Sequence, residues 1–334
     1  METNYRLTDL IKIFDIKETK QTLINQEEKG LIPKAGRVEK GRVSHRVWSP
    51  DKLPLIGEKF GFLSKNKSTK VITSFVQKGG NLKSSLVFNM SRMLALHNIK
   101  VLCVGLDSQM SLTVLLNQSE TTVEDLNHIK KEKGLYHFLF EGAPIEEVIK
   151  NTDLPSLNYI PETVELALLD KKLRTERRKE YIFKDRLTEV FSKYDVIMFD
   201  CSPNWNSLIE ACLTATDILI TPIECGVGGY QVLNYNLENV REFQEAMSVE
   251  FEEVFLLPTL LEKNKISTQI LGSYLQNYSE IIVPHSIRRA VAGQEVGFLK
   301  QSITEYQPTS PLAQDYKDAV TFMWNKILAN ERAN

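Results

Sequence analysis

The residues of this 334-residue chain best suited to chemistry crowd into one stretch, Gln77-Lys78-Gly79-Gly80-Asn81-Leu82-Lys83-Ser84-Ser85, between an apolar run ending at Val76 and a helical pattern opening at Lys83. A glycine-containing turn at such a junction points successive backbone N–H groups inward and sets a helix N-terminus beneath a bound anion, the arrangement that cradles phosphate. Lys83 then supplies charge to the β- and γ-phosphates, and the Ser84 hydroxyl reaches a magnesium ion. The same residues also read as an ordinary lysine-bearing turn, because the glycines of GxxxxGK[ST] are replaced by Gln77 and Leu82. Two acids add to the phosphate reading: Asp107 in GLDSQMSLT and Asp200 in YDVIMFDCSP. Both close apolar runs, and the carboxyl ends of strands are where an open α/β sheet binds its ligand. A carboxylate in that place is the expected partner of a nucleotide-bound magnesium.

The rest of the chain supplies elements able to bring these residues together. Val71–Val76, Lys100–Gly105, Asp195–Asp200, Asp217–Pro222 and Val254–Thr259 read as buried strands. Helical patterns fall between them, at 83–97, Thr163–Lys179, Phe183–Lys193 and Gly228–Met247. Apolar strands alternating with helices predict an α/β fold, a doubly wound and mostly parallel sheet covered on both faces.

Ahead of this lies a different segment. Residues 5–32 carry two short amphipathic patterns, the first with Thr8 as its cap and the second over Lys17 to Gln26, before a stop at Gly30. The alternation through Arg42, Val43, His45, Val47 and Trp48 predicts a small β-hairpin wing, and SPDK at 49–52 another helix start. Helix, turn, helix and wing together fit a winged DNA-binding module; a small helical dimerisation domain with solvated lysines fits the pattern too. The polar stretch GFLSKNKSTK predicts a linker, so the organisation is a module at 1–60, a linker at 61–69 and a main domain at 70–334.

Residues 70–330 resemble the ParA/MinD family of deviant-Walker ATPases. KGGNLKSS parallels the family's KGGxGK[ST][ST], GLDSQMSLT its DxDPQ motif and YDVIMFDCSP its YDxxxxDxPP motif; TPIECGVGGYQVL, IIVPHSIRRAVAGQEVGFL and SPLAQDYKDAV extend the likeness toward the C-terminus. The resemblance implies ATP and Mg2+ as cofactors, with Lys78, Gly79, Gly80, Asn81, Leu82, Lys83, Ser84 and Ser85 as the nucleotide-binding loop. Lys78 takes the part of the family's signature lysine, which crosses a nucleotide-sandwich homodimer to the partner's phosphates. Asp107 takes that of the residue positioning the attacking water, and Ser84, Asp107 and Asp200 form the metal set. Leu82, Gly105 and Ser108 depart from the family pattern, which implies nucleotide binding with slow hydrolysis. Arg288 and Arg289 fall where family members contact non-specific DNA, and Lys263, Lys265 and Lys300 are read as additions to that face. The N-terminal module resembles a MerR-type winged helix-turn-helix, which implies DNA contacts by Lys17, Thr19, Lys20 and Thr22 on the second helix and by Arg42 and Arg46 on the wing. A ParB-like partner, segregation of plasmid or chromosomal DNA, autorepression of the operon and a cytoplasmic, nucleoid-associated location complete what the resemblance implies. A nucleotide-sensing transcription regulator with little turnover and a positioning ATPase for a protein cargo are the alternatives.

Charge sharpens this division. The whole chain carries 41 Lys+Arg against 43 Asp+Glu, a formal charge of −2, which excludes a uniformly basic nucleic-acid coat. Residues 1–70 alone hold 15 Lys+Arg against 9 Asp+Glu, or +6, which leaves −8 for the remainder. The four cysteines stand apart without metal-ligand spacing and read as buried thiols. Neither an apolar run long enough for a membrane span nor a secretory signal pattern occurs. The last helical pattern, Tyr316–Leu328, has too few cations for a membrane-surface helix and predicts docking on the core, with no stable membrane association.

Overall fold

The computed structural model describes residues 4–40, 43–117, 132–290 and 299–333. Strand β1 (Tyr5–Arg6) runs into helix α1 (Leu7–Ile13), which Asp9 opens by accepting from the Arg6 N–H at 2.8 Å. Thr8, the expected cap, therefore lies inside the helix. Helix α2 (Lys20–Glu28) begins later than the expected Lys17, because the Thr19 hydroxyl accepts from the Thr22 N–H at 3.2 Å and so caps it. Strands β2 (Gly36–Lys40) and β3 (Val43–Trp48) pair antiparallel, β1 joins β3 through Tyr5 opposite Trp48, and helix α3 (Leu53–Phe60) follows.

A seven-stranded sheet carries the rest: β4 (Lys70–Ser74), β5 (Val101–Leu106), β6 (Lys150–Asn151), β7 (Leu157–Ile160), β8 (Val196–Cys201), β9 (Ile218–Glu224) and β10 (Glu253–Thr259). The order is β10-β9-β4-β8-β5-β7-β6, and only β6 runs antiparallel to its neighbour. Strand β8 inserts between β4 and β5, so the loops that follow β4 and β5 flank the end of β8. Residues far apart in sequence thus meet at one edge of the sheet.

The helices that flank the sheet or follow its strands are α4 (Lys83–Leu96), α5 (Ser111–Leu116), α6 (Leu166–Leu173), α7 (Ile182–Phe191), α8 (Ser207–Thr214), α9 (Val227–Met247), α10 (Lys265–Asn277) and α11 (Pro311–Ala333), with short helical turns at Leu135–Phe140, Ile145–Val148 and Ile303–Tyr306 besides. Helix α6 is shorter than the expected Thr163–Lys179, and α11 is longer than Tyr316–Leu328. One core lies between the sheet and α6, α7 and α8; a second joins the sheet to α4 and α11, where Tyr316, Val320, Met323 and Trp324 are buried; a third, smaller one joins β9 and β10 to α9 and α10 through Ile223, Leu233, Leu256 and Tyr274. The last helix docks on the core as expected. All four cysteines are buried and free.

That second core does not stop at residue 70. Phe14, Leu23, Trp48, Leu53 and Ile56 of the N-terminal module belong to the same apolar cluster as Leu94 of α4 and Trp324 of α11. Segment 61–69 has no regular structure, but it is strapped down along its length. The Phe62 N–H donates to His97 Nε2 at 3.1 Å, Trp324 Nε1 donates to the Ser64 carbonyl at 2.7 Å, and Asn66 Nδ2 donates to the Asp195 carbonyl at 2.7 Å. The Glu331 carboxylate accepts from the N–H groups of Lys67 and Ser68 at 3.0 and 3.2 Å. A polar composition predicts a free spacer; here the polar groups fasten the module to the body.

Candidate functional site

Helix α4 begins directly after the loop 77–82, and its first turn exposes N–H groups that no helical carbonyl can satisfy. Gly80 has φ +76°, and Leu82, the residue before the helix, sits in the left-handed region at φ 63°, ψ 23°. Such a conformation costs a non-glycine residue roughly 1–2 kcal/mol, and the half-buried Leu82 side chain offsets this by packing against the apolar core. Leu82→Gly is therefore expected to be more stable than Leu82→Ala by about 1 kcal/mol, the reverse of their ordinary ranking. Urea unfolding of the two variants measures this, and equal stabilities would mean that the loop bears no strain.

The loop forms one wall of a cleft of about 960 Å³, lined also by Asp107, Ser108, Gln109, Asp170, Ser202 and Asn206. Gly79 through Ser85 all face it. Lys83 is buried, with Nζ donating to the Lys78 carbonyl at 2.9 Å, and burial lowers its pKa against the pull of Asp200. Asp107 Oδ1 accepts from the Gln109 N–H at 3.0 Å, which shapes the turn after β5.

Asp200 ends the apolar run of β8, fully buried, and both of its carboxylate oxygens lack a hydrogen-bond partner. Burial pushes its pKa up to about 7; Ser84 and Lys83 pull it down, and Asp107 pushes it further up. Ser84 approaches the carboxylate without reaching ordinary hydrogen-bond geometry. A buried carboxylate with empty lone pairs beside a hydroxyl and a lysine is a setting suited to a cation. Among the described residues no three His, Cys, Asp or Glu side chains converge at metal-holding geometry. A cation here would draw its other ligands from phosphate oxygens and water, the coordination magnesium favours.

Lys78 stands apart from this group. It does not line the cleft; its ammonium donates to Glu224 Oε2 at 2.5 Å, at the end of β9. Glu224 also meets Arg289 at 3.5 Å, and Arg289 pairs with Glu262 at 2.7 Å. Glu224 was not singled out from sequence, although a carboxylate closing an apolar strand is the signal that marks Asp200. Gln77 is pinned by α9: Asn236 Oδ1 accepts from its N–H at 2.9 Å, and Asn239 donates to its side-chain oxygen at 2.7 Å.

The residues assigned to DNA are placed less uniformly. Lys17, Thr19 and Lys20 are exposed at the start of α2, but the Thr19 hydroxyl is engaged as the helix cap. Arg46 is not free to reach phosphates: it bridges Glu27 and Glu28 at 3.1 and 3.4 Å, stapling the hairpin to α2. Arg42 lies outside the described residues. Arg288 is held by Asp315, its Nε and Nη2 donating at 2.6 and 2.7 Å, and Arg289 is in the ion pairs described above. Lys300 donates to the Val114 carbonyl, while Lys263 and Lys265 are exposed. Among the described residues no helix is long and apolar enough to cross a membrane.

Comparison with known proteins agrees with this architecture. The sporulation initiation inhibitor protein Soj of Bacillus subtilis is 28% identical over 250 residues, which cover 75% of this chain and 96% of Soj. The cell division protein PomZ of Myxococcus xanthus is 25% identical over 253 residues, covering 75% of this chain and 77% of PomZ. Among solved structures, a putative plasmid partition protein from Borrelia burgdorferi bound to AMPPNP superposes with a TM-score of 0.63 at 21% identity, covering 78% of this chain and all of that one. Residues 69–254, more than half the sequence, match the AAA_31 family, described as an AAA domain. By its fold, its strand-end cleft and this match, the chain belongs to the AAA_31 family.

Proposed function

We propose that the chain is a ParA-like ATPase of the deviant-Walker type. It binds Mg·ATP in the cleft, closes with a second copy into a nucleotide-sandwich dimer, and hydrolyses ATP slowly under stimulation by a ParB-like partner to segregate plasmid or chromosomal DNA. Several of its relatives are named for such work, chromosome partitioning protein ParA of Myxococcus xanthus and of Caulobacter vibrioides among them. Within the cleft the α4 N-terminus and Lys83 hold the phosphates, Ser84 and Asp200 hold the magnesium that screens their charge, and Asp107 orients the attacking water.

The observation that carries this reading is Lys78. It belongs to the phosphate loop yet directs its ammonium out of its own cleft to Glu224. A lysine so placed serves a partner's phosphates better than its own. DNA binding follows from the dimer, which pairs two copies of the Arg288 and Arg289 surface and two exposed α2 starts; the N-terminal module is read as a winged helix-turn-helix that can also repress its own operon. Arg288 must leave Asp315 to take part, so nucleotide closure and DNA contact are expected to be linked.

Size-exclusion chromatography with ADP and with ATP tests the reading. ATP alone should shift the chain from monomer to dimer, and Lys78→Ala should abolish the shift while leaving ATP affinity within a few-fold. A dimer that forms equally with ADP, or that survives Lys78→Ala, would overturn it. The strained Leu82 favours a second reading, a nucleotide-sensing regulator with little turnover. ATP hydrolysis measured with DNA and partner present separates the two.

A further inference from the structure

Gly105 takes the place of the first aspartate of the DxDPQ pattern, so β5 lacks one carboxylate at its end. The space above it is nonetheless filled. A Cβ added at Gly105 would stand 2.2 Å from Cγ, 2.6 Å from Cδ and 2.9 Å from Oε1 of Glu162, which approaches from beyond the end of β7. No side chain at 105 can coexist with Glu162 where it now lies. Gly105 is also the residue directly opposite Asp200 in the β5–β8 ladder, so the Glu162 carboxylate rests beside the strand position that carries Asp200.

Glu162 is held rather than merely enclosed. Its Oε2 accepts from the Thr113 N–H at 2.9 Å, and its own N–H donates to Thr113 Oγ1 at 2.7 Å, which ties the end of β7 to α5 just after the Asp107 turn. Its Oε1 has no partner, and the residue is wholly buried. The nearby charges acting on it, Asp200 and Asp107, are both negative. A buried carboxylate with one oxygen tied and the other empty, with only like charges acting on it, lacks its counter-charge.

We propose that Glu162 is a positioning residue of the magnesium–nucleotide site, its carboxylate entering from the β7 end to fill the place left open by Gly105. The inference rests on the nucleotide-binding reading above. With the ion bound at Ser84 and Asp200, Oε1 accepts a hydrogen bond from one of the ion's waters, and the Thr113 tie fixes the turn that carries Asp107.

The experiment measures affinity for a fluorescent ATP analogue with and without magnesium. Glu162→Gln keeps the volume and the Thr113 contact but loses the charge. It should leave magnesium-free affinity within about two-fold and reduce the magnesium-dependent gain by about ten-fold, the usual scale for loss of a residue that orients a metal's ligands. Gly105→Asp alone should unfold or strongly destabilise the protein, because Glu162 occupies the site. Gly105→Asp combined with Glu162→Ser returns a carboxylate to β5 and should restore folding and most of the magnesium-dependent gain. An unchanged magnesium response in Glu162→Gln, or a double variant that folds without recovering it, would overturn the proposal and reduce Glu162 to a helix contact. Absence of analogue binding by the unaltered protein would instead overturn the nucleotide-binding reading beneath it.

Discussion

Replacing Arg92 with alanine is expected to cost about 3–5 kcal/mol of folding stability, because it strands a buried carboxylate. The Arg92 side chain, on α4, is wholly buried and makes two forked pairs. Its Nη1 and Nη2 donate to Asp153 at 2.8 and 3.0 Å, and its Nε and Nη2 to Glu305 at 2.6 and 2.8 Å. Glu305 is itself buried and accepts from the Tyr5 hydroxyl at 2.9 Å and from the Ser302 N–H at 2.8 Å. Burial alone would raise the Glu305 pKa, but Arg92 holds it below the usual carboxylate range. One guanidinium thus connects β1 of the N-terminal module, α4, the sheet-edge loop and the chain after residue 299. Denaturant unfolding of Arg92→Ala should show a single transition moved to lower denaturant, since module and body share one core. Arg92→Met with Glu305→Gln removes both charges together and should cost clearly less than the two single changes added. A loss under 1 kcal/mol, or two separate transitions of which only one moves, would refute this account of the seam.

Such a seam marks the limit of what the sequence makes legible. The strands β4, β5, β8, β9 and β10 are readable because parallel strands buried on both faces are continuous apolar runs, and each lies within a residue or two of its expected place. The glycine-containing loop before α4 and the two strand-end aspartates are readable as cleft residues for a related reason: local strand-to-helix chemistry dictates their types. Strands β6 and β7, two and four residues long, are too short to show a period. Glu162 escapes notice because its meaning depends on Gly105, more than fifty residues earlier and on another strand. The arginines assigned to DNA are identifiable as basic, but their pairing with Glu27, Glu28 and Asp315 is set by tertiary packing that composition does not encode. The strap at 61–69 is the clearest case, since its polar residues are anchored largely through backbone groups that no side-chain pattern reports.

As pH drops from 6.5 toward 4, His97 should withdraw about 3 kcal/mol of stability, a loss read against a His97 variant because buried Asp200, whose pKa is raised, titrates in the opposite sense. His97 ends α4 at the centre of the same seam. Its Nε2 accepts from the Phe62 N–H at 3.1 Å, so Nδ1 carries the proton and donates to the Met93 carbonyl at 2.7 Å. The rings of Phe14 and Phe62 pack edge-on against it, with centroids 5.6 and 4.7 Å away. Burial depresses its pKa from 6.5 to about 4; the Met93 carbonyl and Asp15 oppose the shift, and Lys317 of α11 adds to it. Because the unfolded chain takes up a proton at a pH where the folded one refuses it, the stabilisation is complete above 6.5 and disappears as pH falls through the folded value. Protonation would also force the Phe62 N–H against a second N–H, so the first consequence is release of the strap that binds module to body. His97→Gln has no proton to gain. Unfolding free energies of the intact chain and this variant, from urea titrations between pH 7.5 and 4.5, should converge by up to about 1.4 kcal/mol per pH unit within the window. Carboxylates, Asp200 included, act on both proteins alike, so the difference between them isolates the imidazole. Parallel curves across that window would place the acid sensitivity elsewhere and leave His97 as packing alone.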